Sequence, residues 1–171
     1  MLVGVISDSH DNLANVSRAA RILREKGVGA VFHLGDIVSP FTLAHLAGLL
    51  EGVEIHAVFG NNCGEIEGLL RVASTVGADI SSPPREVALA GRKILLLHGF
   101  GSPDMTRKIV YSLARGGEWD LILYGHTHIP DAKIIGGTLV YNPGELAGAL
   151  NKPTLGLIDL DDMRWETVTL E

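Results

Sequence analysis

The stretch of sequence that organises the chain is LILYGHTH, residues 121–128. Its apolar half, Leu121 to Tyr124, predicts a buried strand, and His126 and His128 follow that strand directly. In an extended chain the side chains of residues i and i+2 point to the same side, so we expect both imidazoles to enter one space. Histidine is among the commonest metal ligands, and the stretch therefore predicts a metal site. The alternative is a surface turn that happens to hold two histidines.

Polar side chains also follow the other predicted strands. Asp8 and His10 come after a first apolar strand with the same one-residue spacing. Asp36, Asn61 and His98 each follow a later apolar run. Each of these motifs alone is ordinary for a loop or a turn. Ligand sites in open α/β sheets lie at the carboxyl ends of strands, so together the motifs predict one site at that edge.

The predicted ligands are imidazoles, carboxylates and one amide, with no thiolate. This set suits divalent ions such as Mn²⁺, Fe²⁺, Co²⁺, Ni²⁺ or Zn²⁺, of which we expect Mn²⁺. The ligands are too many for one ion, whereas two ions ~3.5–4 Å apart that share a carboxylate would use them. Such a pair stabilises the attacking and leaving oxygens of an in-line displacement at phosphorus, and a bridging water supplies hydroxide near neutral pH.

The order of predicted elements indicates a single α/β domain over residues 1–171. Strands are predicted at 3–7, 29–33, 53–59, 86–89, 93–97 and 121–124, and helices at 13–26, 40–52, 65–75 and 102–116. The tail is predicted to add antiparallel strands at 132–135, 138–142, 154–159 and 164–170. Alternating strands and helices in the front half imply parallel pairing. We therefore expect a mixed α/β sandwich of two facing sheets with helices outside.

Composition argues against several classes of protein. The net charge is −6 and there is no Lys/Arg block, which argues against tracking along nucleic acid but leaves a small phosphate-ester substrate open. No apolar run approaches the ~20 residues needed to cross a bilayer, and the N-terminus lacks the basic start of a signal peptide. A single cysteine, Cys63, excludes an intrachain disulfide and is typical of a cytoplasmic protein. A homo-oligomer stays open.

The motifs, in their order, resemble those of the calcineurin-like metallophosphoesterase superfamily. The motifs that carry the resemblance are Asp8-x-His10, Gly35-Asp36, Gly60-Asn61, His98 and Gly125-His126-x-His128. Three further stretches, FHLGD at 32–36, GNNC at 60–63 and NPG at 142–144, resemble its small bacterial and archaeal phosphodiesterase branch. The resemblance implies a four-layer αββα sandwich with two mixed β-sheets and a dinuclear metal site at the strand carboxyl ends.

The resemblance also implies two metal sites that share Asp36 as the bridging ligand. The first site consists of Asp8, His10, Asp36 and His128. The second site consists of Asp36, Asn61, His98 and His126. The positions assigned to catalysis are Asp36, Asn61 and Asn62.

Two residues depart from the family pattern. Asn62 stands where many members have a histidine that protonates the leaving group, and Cys63 stands where the small branch has Asp. A missing general acid costs ~10²–10⁴ in rate. We therefore predict a phosphodiesterase that hydrolyses aryl or activated diesters and acts poorly on simple alkyl monoesters. Cys63 is interpreted as a buried packing residue, with an oxidisable neighbour of the site as the alternative.

Other residues are given smaller roles. His45 and His56 are interpreted as structural, and so is His33, which alternatively holds a ligand by a hydrogen bond. The NPG loop is expected near the site without a ligand role, and Glu145 after it is expected to disfavour highly anionic monoesters. The pocket walls are predicted to come from loops 38–41, 62–66, 99–104 and 143–150, whose composition does not identify the substrate.

Two alternatives to a phosphodiesterase stay open. One is a phosphomonoesterase of the same chemistry. The other is a non-catalytic scaffold, because the small subunit of the retromer complex has the same architecture and acts by binding partners. Competent residue types at all the matching ligand positions favour the enzyme. The chain has no P-loop motif, and the stretch after the first strand, SDSH at 7–10, lacks the second Asp of the Asp-x-Asp of a phosphoaspartate enzyme, which argues against other phosphoryl-transfer machinery.

Overall fold

The computed structural model describes residues 1–170, which form eleven strands and four helices. The strands are β1 Leu2–Ile6, β2 Ala30–His33, β3 Glu54–Val58, β4 Asp79–Ser81, β5 Arg85–Leu89, β6 Arg92–Leu96, β7 Leu121–Leu123, β8 Asp131–Ile135, β9 Thr138–Asn142, β10 Thr154–Asp159 and β11 Arg164–Thr169. The helices are α1 Leu13–Lys26, α2 Pro40–Leu49, α3 Ile66–Val76 and α4 Pro103–Ala114. Within residues 1–170, each helix is too short or too polar to cross a bilayer. The predicted domain also includes Glu171, which lies outside the described residues.

The strands form two mixed sheets. The first has the order β11-β10-β1-β2-β3-β4, in which β1 to β4 run parallel and the two tail strands run antiparallel to their neighbours. The second has the order β5-β6-β7-β9-β8, with β6, β7 and β9 parallel and the two edge strands antiparallel. The parallel strands of each sheet therefore end at a common edge.

Three buried apolar clusters separate four layers. The first cluster joins α1, α2 and α3 to the outer face of the first sheet, for example through Leu23, Leu43 and Leu69. The second fills the space between the sheets, where Phe32 of β2 packs in the same core as Leu123 of β7. The third joins α4 to the outer face of the second sheet. The predicted αββα sandwich is confirmed.

The predicted elements agree with the observed ones except at two places. Residues 79–81 form the short strand β4, which was not predicted. Three residues followed by Ser-Pro-Pro are too few to show the alternation of apolar and polar residues that marks a strand. The tail was predicted as antiparallel strands, and this is wrong for one pairing. β9 is antiparallel to β8 but parallel to β7, so one tail strand extends the parallel part of the second sheet.

Side chains cap the starts of α1 and α4. Asn12 accepts a hydrogen bond from the backbone of Asn15 at the start of α1, and Ser102 does the same for Met105 at the start of α4. Ser39 precedes α2 at the corresponding position, but its side chain makes no capping hydrogen bond.

Candidate metal centre

The loops after β1 and β2 bring the first predicted ligands together. Asp8 donates its backbone N–H to the Gly35 carbonyl at 3.1 Å, and His10 donates its own to the Asp36 carbonyl at 3.0 Å. Asp8, His10 and Asp36 all have left-handed backbones, with φ of 52°, 42° and 53°. Such conformations are costly for non-glycine residues and gather at functional sites. The two loops thus turn sharply at three of the predicted ligands.

His126 and His128 were predicted to point to the same side of an extended chain. That prediction is wrong, although both side chains reach the candidate centre. β7 ends at Leu123, and His126 and His128 have φ of 66° and 59°, so this segment is a tight turn and not extended chain. The two rings therefore diverge into different clusters. The His126 ring lies 5.1 Å from that of His98, and the His128 ring lies 5.3 Å from that of His10, measured between centroids.

The first cluster is formed by Asp8, His10, Asp36 and His128. One ligand atom from each residue lies within 4.8 Å of the others. The His128 Nε2 is 3.4 Å from Asp8 Oδ1, and His10 Nε2 is 3.5 Å from Asp36 Oδ2. Asp8 Oδ1 and His10 Nε2 are buried and have no hydrogen-bond partner, which is costly for polar atoms. Burial also raises the pKa of Asp8, and a bound cation would relieve each of these costs.

The second cluster is formed by Asp36, Asn61, His98 and His126. The Asn61 Oδ1 lies 3.0 Å from His98 Nε2 and 2.9 Å from His126 Nδ1. The other nitrogen of each ring faces a carbonyl, that of Leu34 at 2.7 Å for His98 and that of Gly101 at 2.6 Å for His126. A carbonyl only accepts, so those nitrogens carry the protons, and in the neutral rings the inner nitrogens present lone pairs. Three acceptor atoms then converge, which suits a cation.

Asp36 lies between the two clusters. Its Oδ1 is 3.5 Å from His98 Nε2, while its Oδ2 faces His10. Burial alone would raise the pKa of Asp36, but the neighbouring imidazole of His98 and the hydrogen bonds from Asn62 outweigh it and hold this pKa below its usual value. Burial alone would lower the pKa of His98, but the nearby carboxylates of Asp36 and Asp8 raise it overall. The centre therefore favours positive charge.

Asn62 is engaged by Asp36. Its backbone N–H donates to Asp36 Oδ1 and its side-chain amide donates to Oδ2, both at 2.7 Å. The residue therefore fixes the orientation of the shared carboxylate. With its amide committed and no acidic proton to give, the side chain offers no general acid at this position.

Glu145 contacts the first cluster, a role that its position in the sequence did not suggest. Its side chain is fully buried, and its Oε2 accepts from His128 Nδ1 at 2.9 Å. The carboxylate also accepts the backbone N–H groups of Ala149, Leu150 and Asn151. Burial alone would raise the pKa of Glu145, and these bonds lower it below its usual value. The buried carboxylate thus orients His128, a contact for which the sequence holds no local signal because 17 residues separate the pair. That Glu145 disfavours highly anionic monoesters stays a prediction.

The NPG loop supports the turn that carries the two histidines. The buried Asn142 side chain donates to the Gly125 carbonyl at 3.0 Å and to Thr127 Oγ1 at 3.1 Å. A Cβ at Gly125 would collide with Ser7, and one at Gly60 would collide with the Asp36 carboxylate. Glycine at these two positions lets the backbone come close to the ligand-bearing segments.

The remaining histidines lie outside both clusters. His45 Nε2 is 2.7 Å from Ser17 Oγ, and His56 Nε2 is 3.3 Å from Glu54 Oε2. Burial lowers the pKa of His33 to about 3, so this ring is neutral, and its Nε2 lies 3.0 Å from Ser9 Oγ. His33 thus contacts the residue between two predicted ligands and not a ligand itself.

Cys63 is buried, and its Sγ accepts the backbone N–H of Gly60 at 3.3 Å. The bond closes the turn that presents Asn61 to the second cluster. This placement agrees with the interpretation of Cys63 as a packing residue.

Comparison with known proteins identifies a family and its relatives. A model of the calcineurin-like phosphoesterase superfamily domain matches residues 1–163. Phosphodiesterase MJ0936 from Methanocaldococcus jannaschii is 31% identical over 173 residues, which cover 100% of both chains. Phosphodiesterase YfcE from Escherichia coli is 26% identical over 91% of this chain and 90% of its own length.

Solved structures agree with these matches. An archaeal phosphodiesterase superposes with a TM-score of 0.90 at 30% identity, over 99% of this chain and 100% of the other. Vps29 from Entamoeba histolytica, solved with zinc, has a TM-score of 0.69 at 21% identity over 100% of both chains. The second likeness shows a common fold alone.

Proposed function

The chain belongs to the calcineurin-like phosphoesterase superfamily, and from that premise we propose that it is a metal-dependent phosphodiesterase. It is a hydrolase of phosphoric esters, acting on small phosphate-ester substrates. The observation that carries the proposal is the pair of ligand clusters that meet at Asp36, with buried acceptor atoms directed into the first of them.

We propose that each cluster holds one divalent ion and that Asp36 contributes to both. The ligands proposed for the first ion are Asp8, His10, Asp36 and His128. Those proposed for the second are Asp36, Asn61, His98 and His126. Such a pair, when bound, supplies positive charge for the oxygens at phosphorus and acidifies water near neutral pH. We propose Mn²⁺ for both positions, since the ligands are nitrogen and oxygen atoms only.

The protein's own residues orient the centre. Glu145 holds His128 through Nδ1, and the Leu34 and Gly101 carbonyls hold His98 and His126, so that the remaining nitrogen of each ring faces inward. Asn62 fixes the Asp36 carboxylate through both of its oxygens. Since Asn62 gives no proton to a leaving group, good substrates are those whose leaving group already has a low pKa.

The test compares substrates and metal content in the same preparations. Metal-free protein is loaded with Mn²⁺, its bound metal is measured, and turnover of an aryl diester is compared with that of a simple alkyl monoester. We expect about two ions per chain and a preference for the diester of about 10²-fold or more. His126→Ala should lose metal and turnover together, while Ile134→Ser on the edge strand β8 should match wild type.

Other results of these measurements would favour one of the two alternatives. Equal or faster turnover of the monoester would favour a phosphomonoesterase. A wild-type protein that takes up no Mn²⁺, or a His126→Ala variant with unchanged hydrolysis, would favour the scaffold interpretation. Three further statements remain predictions. They are that residues 1–171 form one domain, that the protein is cytoplasmic, and that it can form a homo-oligomer.

A further inference from the structure

Exposed apolar side chains recur in the segments that follow the predicted ligands. Residues 1–170 include ten large hydrophobic residues with exposed side chains, and six of them follow closely after a predicted ligand segment or Glu145. These six, which we call the apolar rim, are Leu13, Phe41, Ile66, Met105, Ile129 and Leu150. Phe41 and Leu150 are the most exposed, at 77% and 75%. Single exposed leucines are ordinary on a protein surface, but six at the carboxyl ends of the strands form a pattern.

The same pattern appears at the start of every helix within residues 1–170. Ile66 and Leu13 are the first residues of α3 and α1, Phe41 is the second residue of α2, and Met105 is the third residue of α4. First turns usually carry Asp, Glu or small polar residues, because these interact with the free N–H groups there. Each helix leads away from a segment with a predicted ligand, so an exposed apolar side chain follows each of those segments.

Hydrogen bonds tie two rim residues to the segment that carries His10. Asp11, which follows His10, accepts from the Ser39 backbone at 3.1 Å and from Thr42 Oγ1 at 2.5 Å. Phe41 lies between these two donors, so the start of α2 is held against the His10 loop. Leu13 donates its backbone N–H to the Asp11 carbonyl at 2.9 Å. The starts of α1 and α2, which carry Leu13 and Phe41, are therefore held against the segment of His10.

Hydrogen bonds also tie the 145–151 loop to the first cluster. The Leu150 backbone N–H donates to Glu145 Oε1 at 2.7 Å, and the other oxygen of that carboxylate contacts His128. Asn151 donates from its side chain to the His128 carbonyl at 3.1 Å. From the other side, Asn12 donates to the Ala147 carbonyl at 2.8 Å, which joins this loop to the start of α1. Leu150 is thus held near the cluster while its side chain stays in solvent.

We infer that the apolar rim binds an apolar organic substituent of the substrate phosphodiester, the one that does not leave, with Phe41 and Leu150 as its main contacts. The inference rests on the proposed function and adds a substrate class to it. A diester keeps one organic group on phosphorus during hydrolysis. With the phosphate at the cations, that group extends outward toward the rim. An aromatic or aliphatic group there buries apolar surface on both sides, which a small alkyl group such as methyl does not.

The experiment uses two diesters with the same leaving group. Phenyl para-nitrophenyl phosphate and methyl para-nitrophenyl phosphate both release nitrophenolate, so the ratio of their kcat/KM values reports recognition of the retained group. We measure this ratio for the Mn²⁺-loaded wild type, Phe41→Ser, Leu150→Ser and the double variant. We expect each single variant to lower the phenyl-to-methyl ratio about three- to tenfold and the double variant to lower it further. Turnover of the methyl ester should stay close to wild type.

Ile134→Ser is the matched control. Ile134 is 65% exposed and lies on β8 opposite Leu139, which pairs with Leu121 at the start of β7. It is therefore at the other end of the second sheet, away from the metal centre. Its substitution removes a similar amount of exposed apolar surface, and we expect the phenyl-to-methyl ratio to stay at the wild-type value.

Several results would overturn the inference. One is a ratio that stays unchanged in Phe41→Ser and Leu150→Ser. Another is a wild-type dimer, seen by sedimentation, that these variants dissociate without changing the ratio, because the rim would then be covered by a second copy of the chain. If the loaded wild type hydrolyses neither diester, the proposed function fails. The affinities of diphenyl phosphate and dimethyl phosphate, measured by calorimetry, then test separately whether the apolar rim binds an apolar substituent. Equal affinities would reject the inference.

Discussion

The two clusters of the candidate metal centre are supported in different ways. In the first, His128 is held by the buried carboxylate of Glu145, and the ring faces the buried Asp8. In the second, His98 and His126 are held by neutral backbone carbonyls, and the amide of the exposed Asn61 takes the place of a carboxylate. A cation gains more from buried negative charge than from neutral dipoles. We therefore expect the first cluster to bind its ion more tightly than the second.

Replacing the shared carboxylate should have the largest effect, because it removes the feature that the two clusters have in common. Asp36→Asn keeps the shape but loses the charge that faces both His10 and His98. We expect bound Mn²⁺ to fall from about two ions per chain to less than one, with a loss of about 10³-fold in kcat/KM for an aryl diester. Metal analysis after gel filtration and steady-state kinetics measure the two quantities.

Asp161→Asn is the control for charge alone, since Asp161 is an exposed carboxylate beside the N-terminal amine. It should bind metal and turn over substrate like wild type. Full metal content in Asp36→Asn would show that the clusters do not depend on a common ligand.

Unequal affinity is the second prediction and tests the comparison directly. Titration of metal-free protein with Mn²⁺ in a calorimeter should show two steps whose dissociation constants differ by about tenfold or more. Asp8→Asn should weaken the tighter step by about 10²-fold, and His98→Gln should remove the weaker one while leaving the tighter in place. Two steps of equal affinity, or loss of the weaker step in Asp8→Asn, would contradict the ranking of the clusters.

Glu145→Gln sharpens the comparison by weakening the support of one cluster only. The glutamine can still accept through its oxygen, but the negative charge behind His128 is lost. Loss of such a partner typically costs 10- to 100-fold in metal affinity, and we expect about that loss in the tighter step alone. Glu86→Gln, in β5 at the far edge of the second sheet, is the matched control. An equal loss in both steps would show that the substitution acts through general unfolding of the 145–151 loop.

The same comparison separates what the sequence could predict from what it could not. The seven candidate ligand positions could be predicted from strand ends, because an apolar run that stops at a polar residue is a local pattern. The left-handed backbone at His126 is accompanied by a non-local contact, because its N–H donates to Asp8 Oδ2 at 3.0 Å, 118 residues away. The sequence around His126 does not show this partner, so extended chain was predicted there. The contact of Glu145 with His128 was missed for the same reason. The bond from His98 to the Leu34 carbonyl could not be predicted either, because every residue has a backbone carbonyl and the residue type gives no signal.

Cys63 should show the smallest effect, and it completes the comparison from the side of the second cluster. Where Glu145 supports the first cluster with a charge, Cys63 supports the Asn61 turn with one weak sulfur acceptor, from Gly60 at 3.3 Å. A bond of this kind contributes about 1 kcal/mol or less, so Cys63→Ala should lower the free energy of unfolding by about that amount plus a small packing loss. We expect kcat/KM and both Mn²⁺ steps to stay within about twofold of wild type, because the hydrogen bond of the sulfur goes to Gly60 and not to a candidate ligand.

Kinetics after treatment with peroxide test the alternative role of Cys63. If Cys63 is an oxidisable neighbour of the site, the wild type should lose activity that Cys63→Ala keeps. If Cys63 is a buried packing residue, the two proteins should be equally resistant.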